Sequence, residues 1–210
     1  MPVETEAKLR VSSHEPLRAR LLALGARRVG SVLETNHIFD SPTRSLLAND
    51  QGLRVRRIET IDGAGEPATL TYKGPRDAGL LKRRREIELV ISDAEAARAM
   101  LAALGFQEVL TFQKRRERWR LEACRIELDE LPHLGCFIEV EGPDVQNVQD
   151  VLERLGLGNE TIVPQSYIAM LIDFCHTHGL PADRIDFSPP GPVRPHPDRP
   201  AEAQPGSGHP

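Results

Sequence analysis

Residues 4–11 read ETEAKLRV, with Glu4, Glu6, Lys8 and Arg10 alternating with Thr5, Ala7, Leu9 and Val11. Side chains two apart on a strand share a face, so the four charges lie together and the mostly apolar set lies opposite. The same period returns in Arg54 and Arg56, Thr71 and Lys73, and Arg84 with Glu86 and Glu88. It returns again in Lys114 with Arg116 and Arg118, Arg125 with Glu127 and Asp129, and Glu139 with Glu141. Each set sits inside an otherwise apolar segment. A single strand of this kind is an ordinary solvated sheet face. A series of them, joined in one sheet that curls shut, would line the interior of a barrel with acids grouped for a metal and bases for a polyanion.

At 210 residues the chain is long enough for one well-buried domain with a tail to spare. Its net charge of -4 combines 27 basic with 31 acidic residues, which argues against a nucleic-acid partner, whose binding calls for a basic excess. Any anion site is therefore local. Cys124, Cys136 and Cys175 show neither metal-ligand spacing nor the even count of a disulfide scaffold, which points to a reducing cytoplasm. No apolar run approaches the roughly 20 residues of a membrane span, so no membrane association is expected.

Ser12 or Ser13 is placed to cap a helix from His14 to Leu24, with Pro16 in its first turn and Gly25 at its end. Strands are expected at Glu34–Phe39, Leu53–Glu59, Ala68–Lys73 and Arg84–Ile91, with turns at Asp62, Gly63 and Gly65 and a mobile rim loop after Pro75. Asp93 opens a second helix over Ala94–Leu104 that stops at Gly105, much as the first stops at Gly25. "LALGA", "LAALGF" and "LERLGL" mark three such helix ends, and the first two suggest related halves, each a strand, a helix and further strands. A last helix is expected over Gln165–His176. From Pro181 onward Pro, Asp, Arg, Gly and His dominate, and so little apolar surface predicts a disordered tail.

Glu4, Glu6 and Lys8 form a Glu-x-Glu-x-Lys opening that resembles that of the CYTH domain family, the triphosphate tunnel metalloenzymes. The resemblance continues in order through "GLRVRR" (Arg54, Arg56), "LTYKGP" (Lys73), "RREIEL" (Arg84, Glu86, Glu88), "QKRRERW" (Lys114, Arg116) and "IELDELPHLGCFIEVEG" (Asp129, Glu139, Glu141). It implies an α+β fold: a closed eight-stranded antiparallel β-barrel, with helices packed outside, whose tunnel binds a triphosphate and a divalent metal. The matches mark a CYTH domain over residues 1–178, the composition beyond it leaves a Pro-rich disordered tail over residues 179–210, and a homodimer is compatible with both.

The residue chemistry fits that implication. A triphosphate carries close to four negative charges, which inward Lys and Arg side chains meet with charge-assisted hydrogen bonds. The expected substrate ligands are Lys8, Arg54, Arg56, Lys73, Arg84, Lys114 and Arg116, and of these Lys8, Arg54, Lys73, Lys114 and Arg116 are the expected catalytic groups. Carboxylates approach phosphate through a hard cation, so Glu4, Glu6, Asp129, Glu139 and Glu141 are the expected ligands of Mg2+ or Mn2+. Glu86 and Glu88 are read as partners that hold basic side chains in place. Arg57, Arg83, Arg85, Arg115 and Arg118 are read as solvated, His37 as a surface histidine with a place at the tunnel rim as the alternative, and Tyr167 as a structural anchor of the last helix. Trp119, Phe106 and Phe112 are read as packing residues.

"TYKGP" and "LDELPHLG" look most like the class IV adenylyl cyclase branch, which implies conversion of ATP to cyclic AMP and pyrophosphate. Many family triphosphatases carry a basic residue before the motif lysine and an aromatic after it, where this chain has Ala7 and Leu9. The alternatives are hydrolysis of inorganic tripolyphosphate or thiamine triphosphate, and a non-catalytic nucleotide or polyphosphate binder. The binder has little use for five inward carboxylates.

Overall fold

The computed structural model describes residues 5–60, 65–76 and 84–187. Their elements run β1 (Thr5–Val11), α1 (Glu15–Ala23), β2 (Arg27–Asp40), α2 (Ser45–Ala48), β3 (Gly52–Thr60), β4 (Gly65–Arg76) and β5 (Arg84–Ile91). They continue with α3 (Ala94–Ala103), β6 (Gln107–Leu121), β7 (Cys124–Leu131), β8 (Gly135–Gly142), α4 (Val145–Arg154), α5 (Tyr167–His178) and β9 (Arg184–Ile185). Strands β1–β8 join in the order β1-β8-β7-β6-β2-β3-β4-β5, each neighbour antiparallel. The rim loop expected after Pro75, Arg83, Glu4 and the turn at Asp62 and Gly63 lie outside the described residues.

The expected closed barrel is corrected here. The sheet curls, but β1 and β5 end the hydrogen-bonded path and do not pair with each other. The outer edge of β1 has another partner: Leu9 bridges Ile162, and the Val163 amide donates to the Lys8 carbonyl at 2.7 Å. An edge whose backbone groups are used this way cannot also receive β5.

The related halves appear as β1–α1–β2–β3–β4 and β5–α3–β6–β7–β8, joined back to back where β2 pairs with β6. Each half lends its first strand to the other's neighbourhood, β1 beside β8 and β5 beside β4. Gly25 and Gly105 close α1 and α3 at φ 75° and 91°, a region that glycine enters without steric cost. Asp93 caps α3, accepting hydrogen bonds from the amides of Glu95 and Ala96 at 2.9 and 3.0 Å. His14 takes the N-cap position of α1, buried, with its Nε2 3.0 Å from the Phe137 carbonyl, while the Ser13 hydroxyl accepts from the Glu15 amide at 3.2 Å.

Alternation sorts the two faces of the sheet. Ala7, Leu9, Trp119, Ile126, Leu128, Ile138 and Val140 turn outward and pack under Leu17 and Leu21 of α1 and Val148, Val151 and Leu152 of α4. Phe39 and Val55 pack under Leu101 of α3 in the same way, with Phe106 alongside. The opposite, concave face is apolar only at one end. There Ile38, Phe112 and Phe137 receive Met170, Leu171 and Cys175 of α5.

Beyond α5 the chain does not leave the fold at residue 178. β9 runs parallel to β6 with Phe112 opposite Ile185, and Ile185 is buried in the cluster beneath α5. β7 pairs with β6 only over Arg115–Leu121, so that side of β6 at Thr111 and Phe112 is open to β9. Packed chain therefore extends through residues that the composition assigns to a tail.

Candidate active site

The charged residues of the concave face meet because each strand brings them in with the same phase. Cross-strand register sets Lys8 opposite Glu139 and Glu139 opposite Glu127, and in the next row Asp129 opposite Arg116. Glu127 and Glu139 are like charges directly opposed, an arrangement that is destabilising unless a cation lies between them. Arg116 supplies that cation. Its guanidinium lies 2.7 and 2.6 Å from the two Asp129 oxygens, 2.6 Å from Glu139, and in contact with Glu127.

Asp129 is fully buried and accepts four hydrogen bonds: the two from Arg116, one from Lys114 at 3.0 Å and one from the Tyr167 hydroxyl at 3.0 Å. The Tyr167 ring also faces the Lys8 ammonium, 4.2 Å from its centroid, and Lys8 donates to the Gln165 carbonyl. Burial, with Asp129 and Glu139 beside it, raises the Tyr167 phenol well above its ordinary pKa, so it stays a donor. Burial raises Glu127 as well; Arg116 opposes that shift, while Asp129 and Glu139 add to it.

Glu34 links this cluster to a second one. Only 2 % exposed, it receives Arg56 at 3.0 Å and lies 3.4 Å from Lys114 and 3.9 Å from Arg116. Burial alone would raise its pKa, but those three cations outweigh it and hold Glu34 at about 2. Beyond it, Arg56 donates to Asn36 Oδ1 at 2.9 Å and Arg54 to Thr71 at 3.2 Å. Lys73 pairs with Glu86 at 2.6 Å, Arg84 approaches Glu86 at 3.4 Å, and Glu88 accepts from Thr71 at 2.9 Å. Burial and Arg56 push Arg54 down to about 9, and burial and Arg54 push Lys73 down to about 8. Burial is the larger cause of both shifts, and the neighbouring cation adds to it.

The expected site residues other than Glu4, which lies outside the described residues, thus fall on one face with uneven spacing. Lys8, Lys114, Arg116, Asp129 and Glu139 form one end, and Arg54, Arg56, Lys73 and Arg84 the other. Glu6 and Glu141 face each other in the next row of the register, where Glu141 contacts Arg125. Glu86 and Glu88 hold basic side chains as expected. Three corrections apply among the described residues. Tyr167 is part of the polar site as well as an anchor of α5. Arg118 shares the concave phase of Lys114 and Arg116 and is half-buried. His37 is 7 % exposed, with Nδ1 3.0 Å from Glu108 and 3.2 Å from Thr111 of β6.

Glu34 and Glu127 were not among the expected ligands. Glu127 carried the right signal, a period-two partner of Asp129. Glu34 had none, because Glu34, Thr35, Asn36 and His37 are all polar and hide the alternation.

Carboxylate oxygens of Glu127, Asp129 and Glu139 lie within 4.8 Å of one another, a hard-oxygen donor set suited to Mg2+ or Mn2+. The residues present therefore fit a divalent cation, with Arg116 holding its place among the carboxylates.

The CYTH domain model matches residues 2–167, and the chain belongs to that family. It is 30% identical over 174 residues to adenylate cyclase CyaB of Aeromonas hydrophila, covering 78% of this chain and 86% of that protein. The PH1819 protein of Pyrococcus horikoshii OT3 superposes with a TM-score of 0.71 at 28% identity, over 81% of this chain and 99% of that one. A candidate adenylyl cyclase of Hippeastrum, HpAC1, described as having a dominant triphosphatase activity, shares the fold with a TM-score of 0.63 at 19% identity, over 84% and 96% of the two chains.

Proposed function

We propose that the chain is a class IV-type adenylate cyclase that binds ATP on the concave face and converts it to cyclic AMP and pyrophosphate. The observation that carries this reading is the joining, through Glu34, of a buried carboxylate cluster to a row of cations on one concave face. In the reaction the ribose 3′-oxygen forms a bond to the α-phosphorus. The bond from that phosphorus to the bridging oxygen breaks, pyrophosphate leaves with the electron pair, and the hydroxyl proton passes to solvent.

In this reading Lys8, Arg54, Arg56, Lys73, Arg84, Lys114 and Arg116 bind the phosphate chain. Lys8, Arg54, Lys73, Lys114 and Arg116 meet charge that grows on the reacting and leaving groups, and so act most strongly in the transition state. Glu4, Glu6, Asp129, Glu139 and Glu141 are the proposed holders of Mg2+ or Mn2+, with Glu127 added by its place beside Asp129 and Glu139. When bound, that ion withdraws charge from phosphoryl oxygens. Tyr167 keeps Asp129 oriented, and Glu34 keeps Arg56 extended along the face.

A second reading, hydrolysis of tripolyphosphate or thiamine triphosphate, is favoured by the activity described for HpAC1. The same face serves it, with water replacing the ribose hydroxyl. A product assay with ATP, tripolyphosphate and thiamine triphosphate, each with either metal, decides. Cyclic AMP and pyrophosphate in equal amounts from ATP support the cyclase; orthophosphate from any of the three supports the hydrolase; no turnover of any of them leaves a binder.

A further inference from the structure

Along the basic half of the concave face, three buried polar atoms have no hydrogen-bond partner among the described residues: Asn36 Nδ2, Thr69 Oγ1 and Arg54 Nε. Asn36 is 0% exposed and Thr69 9%. Register places them side by side, Asn36 opposite Arg56 and Arg56 opposite Thr69, with Arg54 in the adjacent row opposite Thr71. Thr71 meets Arg54 and Glu88 on the concave face, and Thr69, two residues earlier on the strand, shares that side.

The orientation of Asn36 follows from its neighbour. Arg56 Nε donates to Asn36 Oδ1 at 2.9 Å, and arginine has no acceptor, so the amide oxygen must face it and the NH2 must face away. Asn36 Nδ2 and Arg54 Nε are therefore fixed donors, and the Thr69 hydroxyl can become one. Buried donors are ordinarily satisfied. A shared acceptor entering between β2, β3 and β4 would satisfy all three, and with Arg54, Arg56 and Lys73 around it that acceptor should carry negative charge.

We propose that Asn36 and Thr69 are ligands of the phosphate chain, neutral donors that complete the cation row, an inference that rests on the triphosphate reading of the face. Neutral donors suit the position, since burial and Arg56 already hold Arg54 down to about 9 and a further cation would add repulsion. Neither residue belongs to the charged pattern of the sequence, and Asn36 is hidden in the polar run of β2.

Thr69→Val tests this, being nearly isosteric and removing only the hydroxyl. Binding of tripolyphosphate and of ATP is measured by calorimetry in EDTA on wild type, Thr69→Val, Thr69→Ser and Lys114→Ala, together with melting temperatures. Thr69→Val is expected to weaken both ligands about tenfold, with Thr69→Ser within about twofold of wild type. Because the hydroxyl is unpaired in the free protein, Thr69→Val should melt no lower than wild type. Unchanged affinity in Thr69→Val, while Lys114→Ala binds more weakly, overturns this inference and leaves the triphosphate reading standing. A loss for ATP but not tripolyphosphate overturns it as well, placing Thr69 against the nucleoside. Failure of wild type to bind either ligand in EDTA, and to bind a non-reactive ATP analogue with Mn2+, removes the triphosphate reading and this inference together.

Discussion

Arg115 and Arg116 are neighbours in sequence and opposites in environment. Arg116 is 8% exposed among three carboxylates, whereas Arg115 is 58% exposed, pairs with Glu130 at 3.2 Å and lies over the Phe187 ring. Arg116→Ala leaves buried carboxylates unpaired and should cost about 3–5 kcal/mol at neutral pH. Arg115→Ala removes an exposed pair worth at most about 1 kcal/mol. Chemical denaturation of both variants checks the contrast, and an equal loss would mean that the phase is misread. The sequence showed this contrast through period two alone. It did not show Tyr167 against Asp129, because that contact joins a helix to a strand 38 residues earlier and no local pattern encodes it. Nor did it show His37 buried, since its partners Glu108 and Thr111 come from β6, 71 and 74 residues along the chain. Glu139→Gln should weaken Mn2+ binding at least tenfold, read by electron paramagnetic resonance, because it replaces one anionic ligand of the proposed cluster. Affinity equal to wild type would remove Glu139 from the metal site.

Strand phase, the helix stops at Gly25 and Gly105 and the Asp93 cap were legible at the level of elements because each is written in a few adjacent residues. β2 is longer than local sequence predicts: it spans Arg27–Asp40, whereas the sequence points to a strand only over Glu34–Phe39. Its first half is held by pairing with β6, a tertiary effect that outweighs local preference. β9 was missed for the same reason. Two residues, Arg184 and Ile185, form a strand only because β6 offers them an open edge. Deleting residues 179–210 should therefore lower the melting temperature by about 4–10 °C, from loss of the buried Ile185 and its neighbours. Deleting residues 188–210 should leave it nearly unchanged, as the composition of that segment predicts. Calorimetric melts of both truncations separate the two boundaries, and equal melting temperatures would show that β9 contributes nothing.

Across the whole molecule, one curled sheet separates apolar packing on its convex side, under α1, α3 and α4, from charge on its concave side. Whether such a sheet closes was not legible in the sequence, because closure depends on what covers the outer edge of β1, a segment more than 150 residues away. The uneven charge of the concave face has a pH consequence. Burial and the neighbouring Arg54 hold the Lys73 ammonium down to about 8, so its charge is present at neutral pH and fades as pH rises through that value. Tripolyphosphate affinity should therefore fall as pH climbs from 7 to 9, with a smaller fall in Lys73→Met. A flat profile in wild type would contradict that shift.

The most direct test of the central claim, that this concave face is where a metal-bound triphosphate is held, is a crystal structure with Mn2+ and a non-reactive ATP analogue, with anomalous scattering used to locate the metal. The predicted result is a manganese peak in direct coordination with Asp129 and Glu139, and a phosphate chain lying between Lys114 and the Arg54–Arg56–Lys73 row. A peak and nucleotide bound anywhere else, with Arg116 still seated on Asp129 and Glu139, would contradict it.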